Sequence, residues 1–178
     1  MNGFAAVFIL LGVFWTQTSA LDTYLLHNPV NGYVTGTMTI HNEENIVEVH
    51  VRSGRYSSDT IFDYSRGYVA TRLFSRNACF IMKISQESIP DLQEIGRLAF
   101  EKETMKKIYS PNNVWVQFQS GHSIFGHLKD WLIYGKAIEQ LCADLPLYRL
   151  EKTETEIDGC ADAGIPGILG MKICEKTY

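Results

Sequence analysis

The sequence predicts an α+β protein: an antiparallel β-sheet meander in the first half, then helices that cover it, with disulfide staples. Three observations carry this. Alternating runs rich in β-branched residues, separated by short polar turns, fill residues 32 to 84, and period-two alternation marks half-buried strands. Beyond Ser88 the apolar spacing becomes helical. Four cysteines follow an apolar leader, and an even count in a secreted chain reads as disulfides.

The leader comes first. Met1 to Ala20 carry no charged side chain, and Phe4 to Trp15 are apolar throughout. That run is short of the roughly twenty residues a spanning helix needs, and it suits the core of a signal peptide. Thr18-Ser19-Ala20 places small residues before a cleavage expected after Ala20. The n-region lacks Lys and Arg, so the alternative is an uncleaved anchor.

The strands follow. In Gly32 to His41, Val34, Met38 and Ile40 share one face and the threonines the other. Asn42-Glu43-Glu44-Asn45 turns the chain into Ile46–Val51, with Val47, Val49 and Val51 together. This is a hairpin. Gly54 to Asp59 break the pattern. Thr60–Tyr64, Tyr68–Phe74 and Ala78–Ile84 then alternate, with turns at Ser65-Arg66-Gly67 and Ser75-Arg76-Asn77. Ser88-Ile89-Pro90-Asp91 starts a helix, because Pro and an acid suit a first turn. Leu92, Ile95, Leu98, Ala99 and Met105 hold its spacing to near Tyr109. Val114–Gln119 reads as a strand and Ser123–Tyr134 as a partly helical loop. Lys136–Asp144 is a second helix, with Ile138, Leu141 and Cys142 inward and Leu145-Pro146 as its stop. Arg149–Asp158 read as charged and exposed, and Gly159–Cys174 as a glycine-rich loop closed by its own cysteines.

The charge excludes one class of partner. A net charge of −4 with no basic stripe gives nothing to neutralise phosphates, so no nucleic acid is expected. Cys79, Cys142, Cys160 and Cys174 allow three connectivities, which spacing alone leaves open. No C-x-x-C pair exists for zinc, and no N-x-Ser/Thr sequon is present. No metal or other cofactor is implied. No nucleophile elbow, H-E-x-x-H or phosphate loop occurs, so the chain reads as non-enzymatic. Gly164, Gly167 and Gly170 lack the βαβ setting of a nucleotide site. His27, His41, His50, His122 and His127 form no cluster in the sequence, and His41 and His50 read as exposed strand histidines. One acid stands out. Asp63 lies between Phe62 and Tyr64. Two readings stay open: a desolvated carboxyl, which burial makes harder to ionise, or a strand-end Asp that caps a turn.

The run Thr-Ile-Phe-Asp-Tyr-Ser-Arg-Gly-Tyr-Val-Ala at 60–70 resembles the BRICHOS domain. So do Cys-Phe-Ile-Met-Lys-Ile at 79–84, Ser-Ile-Pro-Asp-Leu-Gln-Glu-Ile at 88–95 and Leu-Cys-Ala-Asp-Leu-Pro-Leu-Tyr at 141–148. The family's markers, one aspartate and two cysteines, fall on Asp63, Cys79 and Cys142. The resemblance covers roughly Val51 to Arg149. The leader, the preceding hairpin, Tyr-Val-Ala-Thr-Arg and the tail Gly-Cys-Ala-Asp-Ala-Gly-Ile-Pro-Gly-Ile-Leu-Gly are similar to gastrokines, the tail to the second and third of them. The organisation this implies is a signal peptide (1–20), an N-terminal β-hairpin region (21–50), a BRICHOS domain (51–149) and a disulfide-closed tail (150–178).

The resemblance implies a sheet with one helix on each face, a Cys79–Cys142 bridge and a Cys160–Cys174 tail pair. It implies a secreted gastric mucosal protein that restrains epithelial proliferation and binds β-prone clients. The alternative is a dedicated extracellular anti-amyloid chaperone. Strand addition would serve either client role, with Tyr68, Val69, Leu73, Phe80, Ile81 and Met82 as the candidate face and Asp63 tuning its exposure with pH; the alternative is that these six are plain core residues under the helices. The implied partners are β-prone peptides, an epithelial receptor and a trefoil-family peptide, and a homo-oligomer is left open. The gastrokine that links covalently to a trefoil peptide carries an extra cysteine where this chain has Tyr56. With all four cysteines paired, the chain is expected either to act alone or to bind a trefoil partner without a covalent link.

Overall fold

The computed structural model describes residues 21–107, 111–124 and 131–177. The expected leader, His127 and residues 125–130 of the ambiguous segment lie outside these. The described residues form two sheets and three α-helices. The first sheet has seven strands: β1 Leu21–His27, β2 Val34–His41, β3 Ile46–Val51, β4 Ser58–Asp63, β5 Tyr68–Leu73, β6 Ala78–Lys83 and β8 Leu147–Arg149. They lie side by side in chain order, and all pairs are antiparallel except β6–β8. This is the expected meander, with β1 added outside the hairpin. Asn45 and Asn77 take left-handed backbone at two of its turns, a conformation asparagine tolerates better than most residues.

The register aligns one inward row across the sheet: Met38, Val49, Thr60, Thr71, Phe80 and Tyr148. The two threonines in it are buried, and their hydroxyls bond to each other at 2.9 Å, which satisfies polar atoms that would otherwise be costly to bury. This face packs under α1 Leu92–Thr104 through Ile95 and Ala99. Asp91 caps α1 by accepting from the Glu94 N–H at 2.8 Å, an interaction worth about 1 kcal/mol. The opposite face packs Ile61, Ala70 and Ile81 under α3 Lys136–Cys142, through Ile138 and Cys142. A four-residue helix, α2 Trp131–Tyr134, leads into α3. Both faces therefore carry helices, α1 on one and the α2–α3 pair on the other, where the resemblance implies one on each.

Two expectations are corrected. The first helix stops at Thr104 rather than near Tyr109, because Lys106 turns left-handed. The tail is not a loop: β10 Ala161–Ile165 and β11 Leu169–Glu175 form a hairpin in which Gly164 faces Gly170. Leu169, Met171 and Ile173 bury the alternating face of β11, and this period outweighs the glycines. The hairpin joins β7 Asn112–Phe118 and β9 Glu151–Thr153 in a second, four-stranded sheet, with β11 parallel to β7. The charged stretch 149–158 is mostly exposed, yet it supplies β8's end, β9 and the buried Leu150. The second sheet packs on the same face as α1. There Phe80, Phe118 and Tyr148 meet with centroids 4.8 to 5.5 Å apart, a spacing at which aromatic pairs add to burial.

Candidate functional site

Asp63 ends β4 and is 3 % exposed. Its Oδ1 accepts from the Ser65 hydroxyl at 2.6 Å and the Arg66 N–H at 3.0 Å. Its carbonyl accepts from the Gly67 N–H at 2.8 Å. Asp63 is therefore buried, and it caps the turn into β5. Gly135, the joint between α2 and α3, lies over it. A Cβ on Gly135 would sit 3.1 Å from Asp63 Oδ2 and collide with the Arg66 side chain, and the backbone there has φ +92°. Only glycine suits both the space and the dihedral. Tyr134, just before the joint, meets the Tyr68 ring edge-on at 5.0 Å. Next to Asp63, the Tyr64 hydroxyl donates to the Pro90 carbonyl at 2.6 Å. Burial, then the nearby Asp91 charge, holds that phenol well above its ordinary range.

Cys79 joins Cys142, and Cys160 joins Cys174. No cysteine is free. The first bridge ties β6 to the end of α3, and the second ties the start of the tail hairpin to β11.

The six candidate client residues do not share one face. Val69, Leu73, Phe80 and Met82 point into the core under α1 and the second sheet, while Ile81 and Tyr68 face α3. Successive strand residues alternate sides, so Phe80, Ile81 and Met82 cannot line one surface.

Tyr56 lies in a 3-10 turn, Gly54–Tyr56, and is 46 % exposed. Arg55 donates to its hydroxyl at 2.8 Å. The sequence reading missed a charged row across the sheet. His50 is exposed, as expected, but its Nδ1 lies 2.8 Å from Asp59 Oδ1, and Arg52 reaches the same oxygen at 2.7 Å. Burial pushes the Asp59 carboxyl up, but the bonds from Arg52 and His50 outweigh it and hold the group below the usual carboxylate range. Arg52 and Arg72 both lie 4.8 Å from the Phe74 ring centre. A signal was present: His50, Asp59 and Arg72 are opposite one another in the register. Among the described residues no cluster of metal-ligating side chains occurs, and no helix is long and apolar enough to cross a membrane.

The BRICHOS domain family matches residues 54–149. Gastrokine-2 of Rattus norvegicus is 39 % identical over 98 % of this chain and 97 % of its own length. Gastrokine-1 of Homo sapiens is 29 % identical over 82 % of this chain and 78 % of its own. Surfactant protein C of Rattus norvegicus is 33 % identical over 49 % of this chain and 46 % of its own. No solved structure matches the chain.

Proposed function

The chain belongs to the BRICHOS family and, within it, to the gastrokines, and on that footing we propose a secreted, non-enzymatic protein of the gastric mucosa that restrains epithelial proliferation, supports mucosal homeostasis and binds β-prone segments. The proposed organisation is a leader (1–20) removed after Ala20, the hairpin region (21–50), the BRICHOS domain (51–149) and the tail (150–178). The observation that carries the client reading is the family match over 54–149, which spans Asp63 and the Cys79–Cys142 bridge.

Strand addition needs a bared sheet surface or edge. The two faces differ in how they are covered. Val69, Leu73, Phe80 and Met82 lie under α1 and a whole second sheet. Tyr68 and Ile81 lie under two short helices that meet at Gly135 and are pinned by one disulfide. The helix-covered face is therefore the proposed client surface, and Asp63, beneath the joint, is its proposed control point. A trefoil partner would dock without a covalent link, since Tyr56 stands at the position of the linking cysteine.

The test applies the secreted protein to gastric epithelial monolayers and counts dividing cells. Fewer dividing cells are expected, with the effect lost in the Cys79→Ala/Cys142→Ala variant. No change in division at any dose contradicts the growth reading. Asp63→Asn is expected to alter client binding. Identical binding and assembly in that variant makes Asp63 only structural.

A further inference from the structure

We infer that two copies of this chain pair through β1, antiparallel about a two-fold axis at Thr23, to form one continuous sheet. β1 is an outer strand of the seven-stranded sheet. Its seven residues outnumber those of the other outer strands, which have three (β8), five (β10) and three (β9). Outer strands are ordinarily protected by brevity, proline, lysine or a bulge. β1 has no proline and no lysine, and its register irregularity comes only at its end, between Leu26 and His27.

The backbone is turned for pairing. The Leu26 carbonyl faces β2, where the Thr35 hydroxyl donates to it at 3.4 Å. Alternation along a strand then turns the N–H and C=O groups of Leu21, Thr23 and Leu25 to the open side. The side chains of these same residues lie on the sheet face that carries α3 but beyond the cluster it covers. Leu21 is 51 % and Leu25 49 % exposed.

The register follows from self-complementarity. A two-fold axis perpendicular to the sheet keeps each face on its own side, so a residue pairs with one of the same parity; slipping by one would set core residues against solvent-facing ones. Centred on Thr23, Leu21 of each copy lies opposite Leu25 of the other, and all four exposed leucines are covered. On the other face Asp22 lies opposite Tyr24, whose hydroxyl is a donor for a carboxylate. Centring on Asp22 would oppose two like charges, which is unfavourable. Centring on Tyr24 would set Leu21 against His27 at the irregular end.

The test measures mass by sedimentation from micromolar to hundreds of micromolar, on protein secreted and processed by eukaryotic cells. The proposal expects the mass to rise toward twice that of one chain. Leu25→Lys, at an exposed site, should weaken the dimer roughly tenfold or more with the circular dichroism spectrum unchanged. Thr23→Cys should give a covalent dimer on mild oxidation, whereas Thr37→Cys, on the same face one strand inward, should not. A single-chain mass throughout overturns the proposal, even if Leu25→Lys impairs fibril suppression, because β1 would then serve a client instead. Equal cross-linking at positions 23 and 37 overturns it too.

Discussion

Deleting the Cys79–Cys142 bridge, in a Cys79→Ala/Cys142→Ala variant, tests how the α3 face is held. The two residues are 63 apart in sequence. Chain entropy for a loop of that length gives about 4 kcal/mol, and the 14-residue separation of Cys160 and Cys174 gives about 3 kcal/mol. Cys79 and Cys142 are wholly buried in the cluster beneath α3, so their loss also leaves a void, worth about 1 kcal/mol more. Small domains are stable by about 5–15 kcal/mol, so the first variant should be marginal and the second clearly folded. Urea unfolding followed by circular dichroism measures both. Hydrogen exchange should place the early opening in α3 and in the amides of β4 to β6. A loss under about 1 kcal/mol for the first pair, or a greater loss for the tail pair, would refute the reasoning.

Four further outcomes are expected. Arg52→Ala removes a partner that depresses the Asp59 carboxyl. A depressed carboxyl stabilises the fold above the ordinary Asp value near 4 and loses that contribution as pH falls through its folded value. The gap in melting temperature between parent and variant should therefore be full at neutral pH and shrink as pH drops below about 4. Tyr64→Phe removes the bond to Pro90 that ties the end of β4 to the start of α1; urea unfolding should show a loss of about 1 kcal/mol. Gly36→Ala places a Cβ on the His50 carbonyl and forces β2 and β3 apart, so a loss of about 1–3 kcal/mol is expected in the same assay. Gly135→Ala meets Arg66 with a backbone that only glycine adopts freely, and near-ultraviolet dichroism should report disturbed Tyr68 and Tyr134 rings.

The strands β2 to β6 were legible because each buries one face, so valine and isoleucine recur at every second position. β1 was not, because Leu21, Leu25 and Leu26 put apolar residues on both of its faces. The second sheet was hidden for another reason. β11 pairs in parallel with β7, Leu169 against Asn112, and no local signal specifies a partner that far away. The tail's glycines suggested a loop, although the alternation of Leu169, Met171 and Ile173 was there to be read. At the candidate site, Phe-Asp-Tyr marked Asp63 as an acid in an apolar strand. Its turn-capping bonds depend on Ser65 and Arg66 returning to it, and its cover depends on Gly135, some seventy residues away in sequence. The six candidate client residues were read as one surface because their apolar character was weighed without their alternation.

The most direct test of the client reading is fibril formation by an amyloid-forming peptide, with and without a substoichiometric amount of the secreted, disulfide-intact protein. A lengthened lag or slowed growth is predicted, reduced when Tyr68 and Ile81 are replaced by polar residues in a variant that still folds. Unchanged kinetics at equimolar protein would contradict it and leave growth restraint to act through an epithelial receptor alone.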